Sequence, residues 1–522
     1  MYTIFFSDKE KENIRNWKYS VNDKSISTTI FTPLWNWLAT LIPDNVAPNI
    51  LSLTGLLCIL YSFNLAYNYI EEYPKIISLL VCILTFAYMN LDAIDGKHAR
   101  NIKNATPLGE LFDHSCDNIG VIFMILPLTY ILGVKDLYVQ WYIVQIGQLV
   151  FLWSHLEAFK KRIVEFGRFT GPGEFLIIYL GISFARLFFN FNLGSYMTMN
   201  LISTIYYTIF GFLVFSIIRL NSKHYSTRNG LLISLFARLI PSILIHFGIM
   251  LDRMSTYTII SHGLIMTILT GDMIVSKMAK RELHPLIPVL TMISLFDNFL
   301  CITISIVYYL TIIPELSFYL KIPIFGIHKN VFVCGVFDMC HEGHMKMFKN
   351  ASKLGNYLIV GVHNDATVES YKRKPVISHD ERCSTVNECN FVNKIIPNCP
   401  LIMDEDFINK HNIHVVACSP EYDNEDDKYY SVPRKMGILK VLPRTDSIST
   451  SDIIKRIENR LELLKQKQEN EKIMKEEKEN EEKENEVKEK EEIEVERVEG
   501  EEKKKVKFSD KVDIINMFND ID

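Results

Sequence analysis

Long apolar runs fill the chain from Pro48 to about Tyr319, IISLLVCILTFAYMNL and LISTIYYTIFGFLVFSII among them. Each is near the roughly 20 residues a helix needs to cross a bilayer. The pattern predicts spans near 49–70, 76–92, 119–133, 137–156, 174–191, 196–219, 230–251 and 257–276. A last apolar stretch, 285–320, is too long for one span, and a reversal at Asp297-Asn298 would let it cross twice. Lys/Arg-bearing connections at 8–24, 97–103, 160–168, 219–228 and 277–284 share one side if the N-terminus is cytosolic. Ahead of the first span, TPLWNWLATLIP sets Trp35, Trp37, Leu38, Leu41 and Ile42 at mixed helical spacings with few charges, as in an interfacial helix or an ordinary packed one. After the last span, KNVFVCGVF, NYLIVGVHND, HVVACS and GILKVL are short β-rich runs between helical or turn segments. That alternation predicts a parallel α/β domain of about 130 residues. Beyond Leu463 the sequence KEEKENEEKENEVKEKEE has no apolar face, so the tail is a solvated charged helix or a disordered linker.

Four parts follow: a cytosolic segment 1–48, a polytopic α-helical membrane domain 49–322 of about ten spans, a Rossmann-like α/β domain 327–462, and a charged tail 463–522. The average composition hides them. Over 522 residues the chain is 48% hydrophobic and 22% charged, and its net charge of −5 indicates no global nucleic-acid role. Ten cysteines stand singly without CxxC pairs, which predicts neither a disulfide framework nor a structural zinc site. The opening MYTIFFSDKEKENIRNWK meets charge before any adequate apolar region, so it is no cleavable signal, and insertion is expected to use internal spans.

The segment LDAIDGKHARNIKNATPLGELFDHSCDNIG carries the first chemistry. Asp92 and Asp95 lie three apart at the end of one span, and Asp113 and Asp117 four apart at the start of the next, so each pair shares a helix face. Four converging carboxylates repel one another unless cations lie between them, and hard oxygen ligands favour Mg²⁺ or Mn²⁺, giving a two-metal site. Small residues Gly96, Ala99 and Gly109 allow close approach of a bulky polar ligand, and Arg100 can fork onto phosphate oxygens. The expected ligand is a phosphate diester or anhydride.

The spacing D-x2-D-G-x2-A-R-x8-G-x3-D-x3-D runs from Asp92 to Asp117 without a departure and resembles the signature of the CDP-alcohol phosphotransferase family. WKYSVNDKS, APNILSLTGL, DGKHAR and NATPLGELFDHSCDNIG resemble the eukaryotic choline/ethanolamine branch, over about residues 17–325. The resemblance implies ten spans and transfer of a phospho-alcohol from a CDP-alcohol to diacylglycerol, releasing CMP. It further implies that Asp92, Asp95 and Asp113 hold metal ions, with Asp117 a ligand or the base. Gly96 and Arg100 would contact the CDP part, with Ala99 and Gly109 lining it, and Asn49 would reach the cytidine or phosphate. Glu174 in the GPGE turn is a second polar candidate, or a carboxylate favoured by a helix dipole.

In VFVCGVFDMCHEGHMKMF a strand is predicted to end at Gly335 and a helix to begin around His341. His341 and His344, with Gly343 between them, then sit at a helix N-terminus, a site for charge developing on a phosphate. Gly335-Val336-Phe337-Asp338-Met339-Cys340-His341-Glu342-Gly343-His344 resembles the GxFDxxHxGH signature of the cytidylyltransferase family, and Arg444 to Asp452 its second signature, RTxxISTSD. The resemblance covers about 329–462 and implies phosphocholine or phosphoethanolamine plus CTP, entering as Mg-CTP, yielding the CDP-alcohol and pyrophosphate. His341 and His344 would act on the α-phosphate and Lys372 and Arg444 on the triphosphate. Thr445, Ser449 and Thr450 would bind phosphate oxygens, and Gly335, Phe337, Asp338 and Gly343 would shape the nucleotide site.

The chain departs from that family at Tyr371-Lys372-Arg373, where FKG is frequent, at Ala417-Cys418-Ser419, where many members carry a histidine, and at Leu401, where an aromatic suited to quaternary ammonium is missing. YYSVPRKMGI and IIKRIENRLE resemble the ethanolamine enzymes and RTDSISTSD the choline type, and the balance favours ethanolamine. The expectation is therefore a bifunctional enzyme at the endoplasmic reticulum or Golgi, its catalytic sites facing the cytosol. The alternative is an active phosphotransferase whose soluble domain only senses CTP or CDP-alcohol. Expected partners are the bilayer, CTP, the phospho-alcohol, the CDP-alcohol and diacylglycerol. A homodimer is a further candidate, as is a phosphatase docked on Lys505-Val506-Lys507-Phe508.

Overall fold

A computed structural model of the chain describes residues 5–169, 171–249, 254–443 and 448–516; in the last helix the side chains of 499, 502 and 504–516 are not described. The candidate phosphatase motif therefore lies in a helix, with its side chains outside the description. Two compact units form. One comprises Met1–Gly335, Phe348–His363 and Asn390–Leu442, the other Val336–Met347, Asn364–Cys389 and Pro443–Asp522.

The N-terminal helices are α1 (Asp8–Arg15), α2 (Ile26–Leu41), α3 (Pro48–Tyr69), α4 (Pro74–Asn101), α5 (Pro107–Ile131), α6 (Leu137–Lys161), α7 (Pro172–Ala185), α8 (Met199–Ile218), α9 (Tyr225–His246), α10 (Thr256–Ala279), α11 (Leu286–Ile293) and α12 (Asn298–Leu320). Among the described residues, seven helical stretches are long and apolar enough to cross a membrane: α3, α4, α5, α8, Ser222–His246, α10 and α12. Expected spans thus reappear as helices, with shifted ends. α4 runs on through the whole Asp92–Arg100 motif, and α5 starts at Pro107, well before its apolar part. Proline at the first helical position and the Thr106 hydroxyl, which accepts from Gly109 N at 3.0 Å, start α5 among polar residues that hydropathy assigns to a loop. The stretch 285–320 breaks before α12, where the Asp297 carboxylate accepts the Phe299 N–H at 3.2 Å.

α2 packs one face inward. Trp35 and Ala39 are buried with Leu51 and Ile94, and the Trp35 indole donates to Asn90 Oδ1 at 3.1 Å. Ile30, Leu34, Trp37 and Leu41, spaced as a single helical stripe, are exposed. Two short strands, β1 (Val21–Asp23) and β2 (Val164–Phe166), pair in parallel and tie the chain before α2 to that after α6.

The C-terminal part has strands β3 (Asn330–Gly335), β4 (Tyr357–Val362), β5 (Lys394–Pro397), β6 (Val415–Cys418) and β7 (Leu439–Val441), in a parallel sheet of order β5-β4-β3-β6-β7. Helices α13 (Glu342–Ser352), α14 (Asp365–Glu369), α15 (His379–Asn387), α16 (Glu405–Lys410) and α17 (Ser431–Lys435) alternate with the strands. The order reverses beside β3, the kind of switch point at which open α/β sheets bind ligands beyond their carboxyl ends. Phe332, Ile359, Ile408, Ile413 and Val416 form one core of this part. α18 (Thr450–Asn516) continues into the tail, and residues 455–498 are exposed throughout, as the missing apolar face requires.

Candidate functional site

The four aspartates come together across α4 and α5. Asp92 lies within hydrogen-bond reach of Asp117, and Asp95 of Asp113, so each helix contributes one carboxylate to each facing pair. Ser52 of α3 donates to Asp95 Oδ2 at 2.5 Å, and the Tyr88 hydroxyl donates to Asp117 Oδ1 at 2.8 Å. Gly96 N also donates to Asp95. His114 Nδ1 stands 3.7 Å from Asp113 Oδ2 and 4.0 Å from Asp117 Oδ2. Asp113 Oδ1 and His114 Nε2 are buried without a hydrogen-bond partner. Asp113, His114 and Asp117 each offer a ligand atom, all within 4.8 Å of one another. Facing carboxylates need a shared proton or a cation, and the orphaned Asp113 oxygen together with the hard oxygen donors of the four aspartates fits a divalent ion.

The predicted neighbours line the same place. A Cβ added at Gly96 would lie 3.5 Å from Arg100 Nη1, so the guanidinium passes over bare backbone there. At Gly109 an added Cβ would come within 3.3 Å of Thr106 Oγ1 and 3.5 Å of Asn49 Oδ1. Asn49 is buried and donates to Ile324 O at 2.8 Å, while Ala99 is buried on α4. Glu174 Oε1 accepts from Ser27 N at 2.9 Å at the start of α2, and its Oε2 is buried without a hydrogen-bond partner. Sequence reasoning passed over Ser52, Tyr88 and His114, and also the buried pair of Lys277 Nζ with Glu110 Oε1 at 2.9 Å. Trp17 Nε1 donates to the other oxygen of Glu110 at 2.6 Å, and the Tyr19 ring stands 6.0 Å from that of His114. The only signal in the chain for Lys277 was a cation ending an otherwise apolar run.

The second constellation follows β3. His341 precedes α13 by one residue and His344 lies in its first turn, their rings stacked 3.9 Å apart, with Phe337 edge-on to His344 at 5.4 Å. His344 Nδ1 is buried without a hydrogen-bond partner. Burial, with His341 and Lys372 adding positive charge nearby, holds His344 down to about 4, and burial lowers His341 as well. His344 is therefore neutral at physiological pH and offers one N–H and one lone pair. Thr450 Oγ1 lies 3.4 Å from His341 Nε2 and donates to Asp338 O at 3.2 Å. The Asp338 carboxylate accepts the N–H groups of Val376 and Ile377 at 3.0–3.2 Å, so it holds the segment after Lys372. Ser449 donates to Asp452 Oδ2 at 2.6 Å at the start of α18. A Cβ at Gly343 would come within 2.9 Å of Ile448 O, so only glycine admits this approach of the second motif. Phe337 and Met339 adopt φ of +54° and +45°, strain of the kind that functional loops store. Gly335 ends β3, its carbonyl accepting from His363 N at 3.1 Å. Arg444 and Thr445 lie outside the described residues. Arg382, unpredicted, is fully buried, donating to Asp365 Oδ1 at 2.6 Å and to Val336 O.

Residues 45–220, which contain all four aspartates, match the family CDP-alcohol phosphatidyltransferase. Residues 332–456, which contain both histidines and the second motif, match the family Cytidylyltransferase-like. One chain thus matches two transferase family models, over separate stretches. The phosphatidyltransferase part is 32% identical over 216 residues to uncharacterized CDP-alcohol phosphatidyltransferase class-I family protein 2 of Dictyostelium discoideum, covering 40% of this chain and 53% of that one. It is also 31% identical over 168 residues to cholinephosphotransferase 1 of Rattus norvegicus, covering 31% and 42%. The cytidylyltransferase-like part is 37% identical over 134 residues to ethanolamine-phosphate cytidylyltransferase of Arabidopsis thaliana, covering 24% and 32%. The chain thus spans about half or less of the length of these relatives. With the seven apolar helices, the phosphatidyltransferase part makes this a multi-pass membrane protein.

The lowered His344 makes a titration prediction for the cytidylyltransferase-like part. The unfolded chain takes up a proton near pH 6.5, whereas the folded His344 refuses it until about 4. Stability from this group is thus present above the unfolded value and falls as pH drops through that window. In the NMR spectrum of the full-length protein in detergent, the His344 ring signals should stay unshifted from about pH 8 down to about pH 5.5. A midpoint near the ordinary histidine value would contradict the burial argument.

Proposed function

We propose that the chain performs two consecutive transfers. In the domain spanning 327–462, an oxygen of phosphoethanolamine or phosphocholine attacks the α-phosphorus of CTP; the bond to the bridging oxygen breaks, and pyrophosphate leaves. In the domain spanning 49–322, the free hydroxyl of diacylglycerol attacks the phosphorus bearing the alcohol, the bond to the bridging oxygen breaks, and CMP leaves. The observation that carries this reading is that one chain matches both family models, each over a part that holds its own cluster of polar side chains; the product of the soluble reaction would then be the donor for the membrane one.

At the soluble site the neutral His341 and His344 donate N–H groups toward the α-phosphate as its charge develops, and Lys372, with Arg444, binds the triphosphate. Ser449 and Thr450 meet phosphate oxygens at the start of α18, and Thr445 would join them. At the membrane site Asp92, Asp95, Asp113 and Asp117 would hold Mg²⁺ or Mn²⁺, which supplies neutralisation of the diphosphate charge. Arg100, lying over Gly96, orients a phosphate group. His114 Nε2, buried and without a partner, is the acceptor we assign for the hydroxyl proton, leaving Asp117 among the ligands. Ethanolamine is the favoured head group, supported by the missing aromatic at Leu401 and by the likeness of the soluble part to an ethanolamine-phosphate cytidylyltransferase. We further propose ten spans with both sites facing the cytosol; α6 and α7 would add to the seven apolar stretches, whereas α11, at 8 residues, could cross only part of a bilayer.

The test is an assay of membranes carrying the full chain with CTP, diacylglycerol and labelled phosphoethanolamine or phosphocholine. Label should pass into CDP-alcohol and then into phospholipid, from phosphoethanolamine in preference. Transfer from supplied CDP-ethanolamine without any CDP-alcohol synthesis would instead make the soluble domain a sensing module.

A further inference from the structure

The short connection between α4 and α5 joins the two aspartate pairs, and its backbone is strained. Lys103 takes φ +54° without being glycine. Around it the helix end closes as a Schellman turn: Asn104 N donates to Ala99 O at 2.6 Å and Lys103 N to Arg100 O at 3.1 Å. Glycine is usual at such a position, and another residue costs about 1–2 kcal/mol there. Residues of the α/β part hold this turn from outside. His414 Nε2 meets Lys103 O at 2.7 Å, Lys103 Nζ donates to Asn409 Oδ1 at 3.2 Å, and the buried Asn104 side chain donates to His328 O at 3.2 Å. The tautomer of His414 is decided by its other nitrogen. Asn330 N, which can only donate, points at Nδ1 at 3.0 Å, so the ring proton sits on Nε2 and is given to the Lys103 carbonyl. His414 immediately precedes β6 and Asn330 opens β3, so the contacts lie at the amino ends of these strands, whereas the HxGH motif follows the carboxyl end of β3.

We propose that the α/β part clamps the Lys103 turn, and that His414 is a positioning residue for the phosphotransferase reaction, setting how Arg100 and the α4 aspartates face Asp113 and Asp117. The clamp gives the soluble domain a role at the membrane site separate from supplying its substrate. The inference rests on the phosphotransferase reading above.

The test uses the full chain in membranes, with supplied CDP-ethanolamine, diacylglycerol and Mg²⁺ or Mn²⁺. His414→Ala should lower kcat/KM for phosphotransfer roughly tenfold, the size expected if the strained turn loses its support. Cytidylyl transfer by the same preparation should stay within about twofold, because its HxGH motif follows β3 in the chain, whereas His414 precedes β6. His414→Gln, which keeps an N–H near the Nε2 position, should restore most of the loss. Lys103→Gly, which removes the left-handed penalty, should restore it in the His414→Ala background. A readout independent of activity is tryptic cleavage after Lys103, which should be slow in the parent protein and faster in His414→Ala. Unchanged phosphotransfer in an active preparation overturns the clamp, as does a loss that neither second change rescues and that takes cytidylyl transfer with it. If the parent shows no phosphotransfer while His414 still protects Lys103 from trypsin, the clamp stands and the functional reading falls.

Discussion

Asp113→Asn is expected to reduce phosphotransfer from supplied CDP-alcohol by about 10³-fold, ~4 kcal/mol of transition-state stabilisation. Asp113 faces Asp95, approaches His114, and keeps Oδ1 buried without a partner, so the carboxylate does little for the fold that an amide cannot also do. Replacing it removes one charge from a four-carboxylate cluster. A purely structural cluster would be relieved by that loss, and the protein would gain stability with activity intact. A metal-holding cluster loses its function, and the metal concentration for half-activity rises. Phosphotransfer assayed over a range of Mg²⁺ and Mn²⁺, with thermal unfolding measured alongside, separates the two. Activity retained within about tenfold at saturating metal would remove Asp113 from the ligand set.

His344→Ala should lower cytidylyl transfer about 10²–10³-fold while leaving transfer from supplied CDP-alcohol unchanged. The expected size follows from removing one preorganised donor in a largely water-excluded place, where the partner ring of His341 is stacked at 3.9 Å. His344→Asn, which retains an N–H donor, should recover part of the rate if the role is hydrogen bonding to phosphate. A thermal midpoint close to that of the parent protein would exclude loss of the fold as the cause. Loss of both activities would contradict independent sites, and normal CDP-alcohol synthesis would dismiss His344 from the reaction.

Much of this was legible in the chain because the decisive patterns are local. The three- and four-residue spacings of Asp92/Asp95 and Asp113/Asp117 put each pair on one helix face whatever the fold around them. The strand before Gly335 and the glycine between two histidines likewise pointed to a strand–turn–helix site. What hydropathy mislaid were the polar ends of α4 and α5, because a scale that scores side chains singly cannot see that Pro107 and the Thr106 cap begin a helix through a charged motif. Nor could the chain show that Glu174, a candidate by its place in the GPGE turn, accepts through one oxygen from Ser27, a partner 147 positions away.

By itself, then, the sequence determined the helical and α/β class of the two parts and the short-range spacing of the carboxylates and histidines. These depend on residue type and short-range period, which the covalent chain carries directly. Only the tertiary structure decided that Asp92 faces Asp117 and Asp95 faces Asp113, and that Ser52, Tyr88 and His114 gather beside them. It also brought His414 to the Lys103 turn, across 311 positions of chain. Such contacts depend on which helix faces pack together, and that choice is made by burial summed over whole elements, not by any one motif.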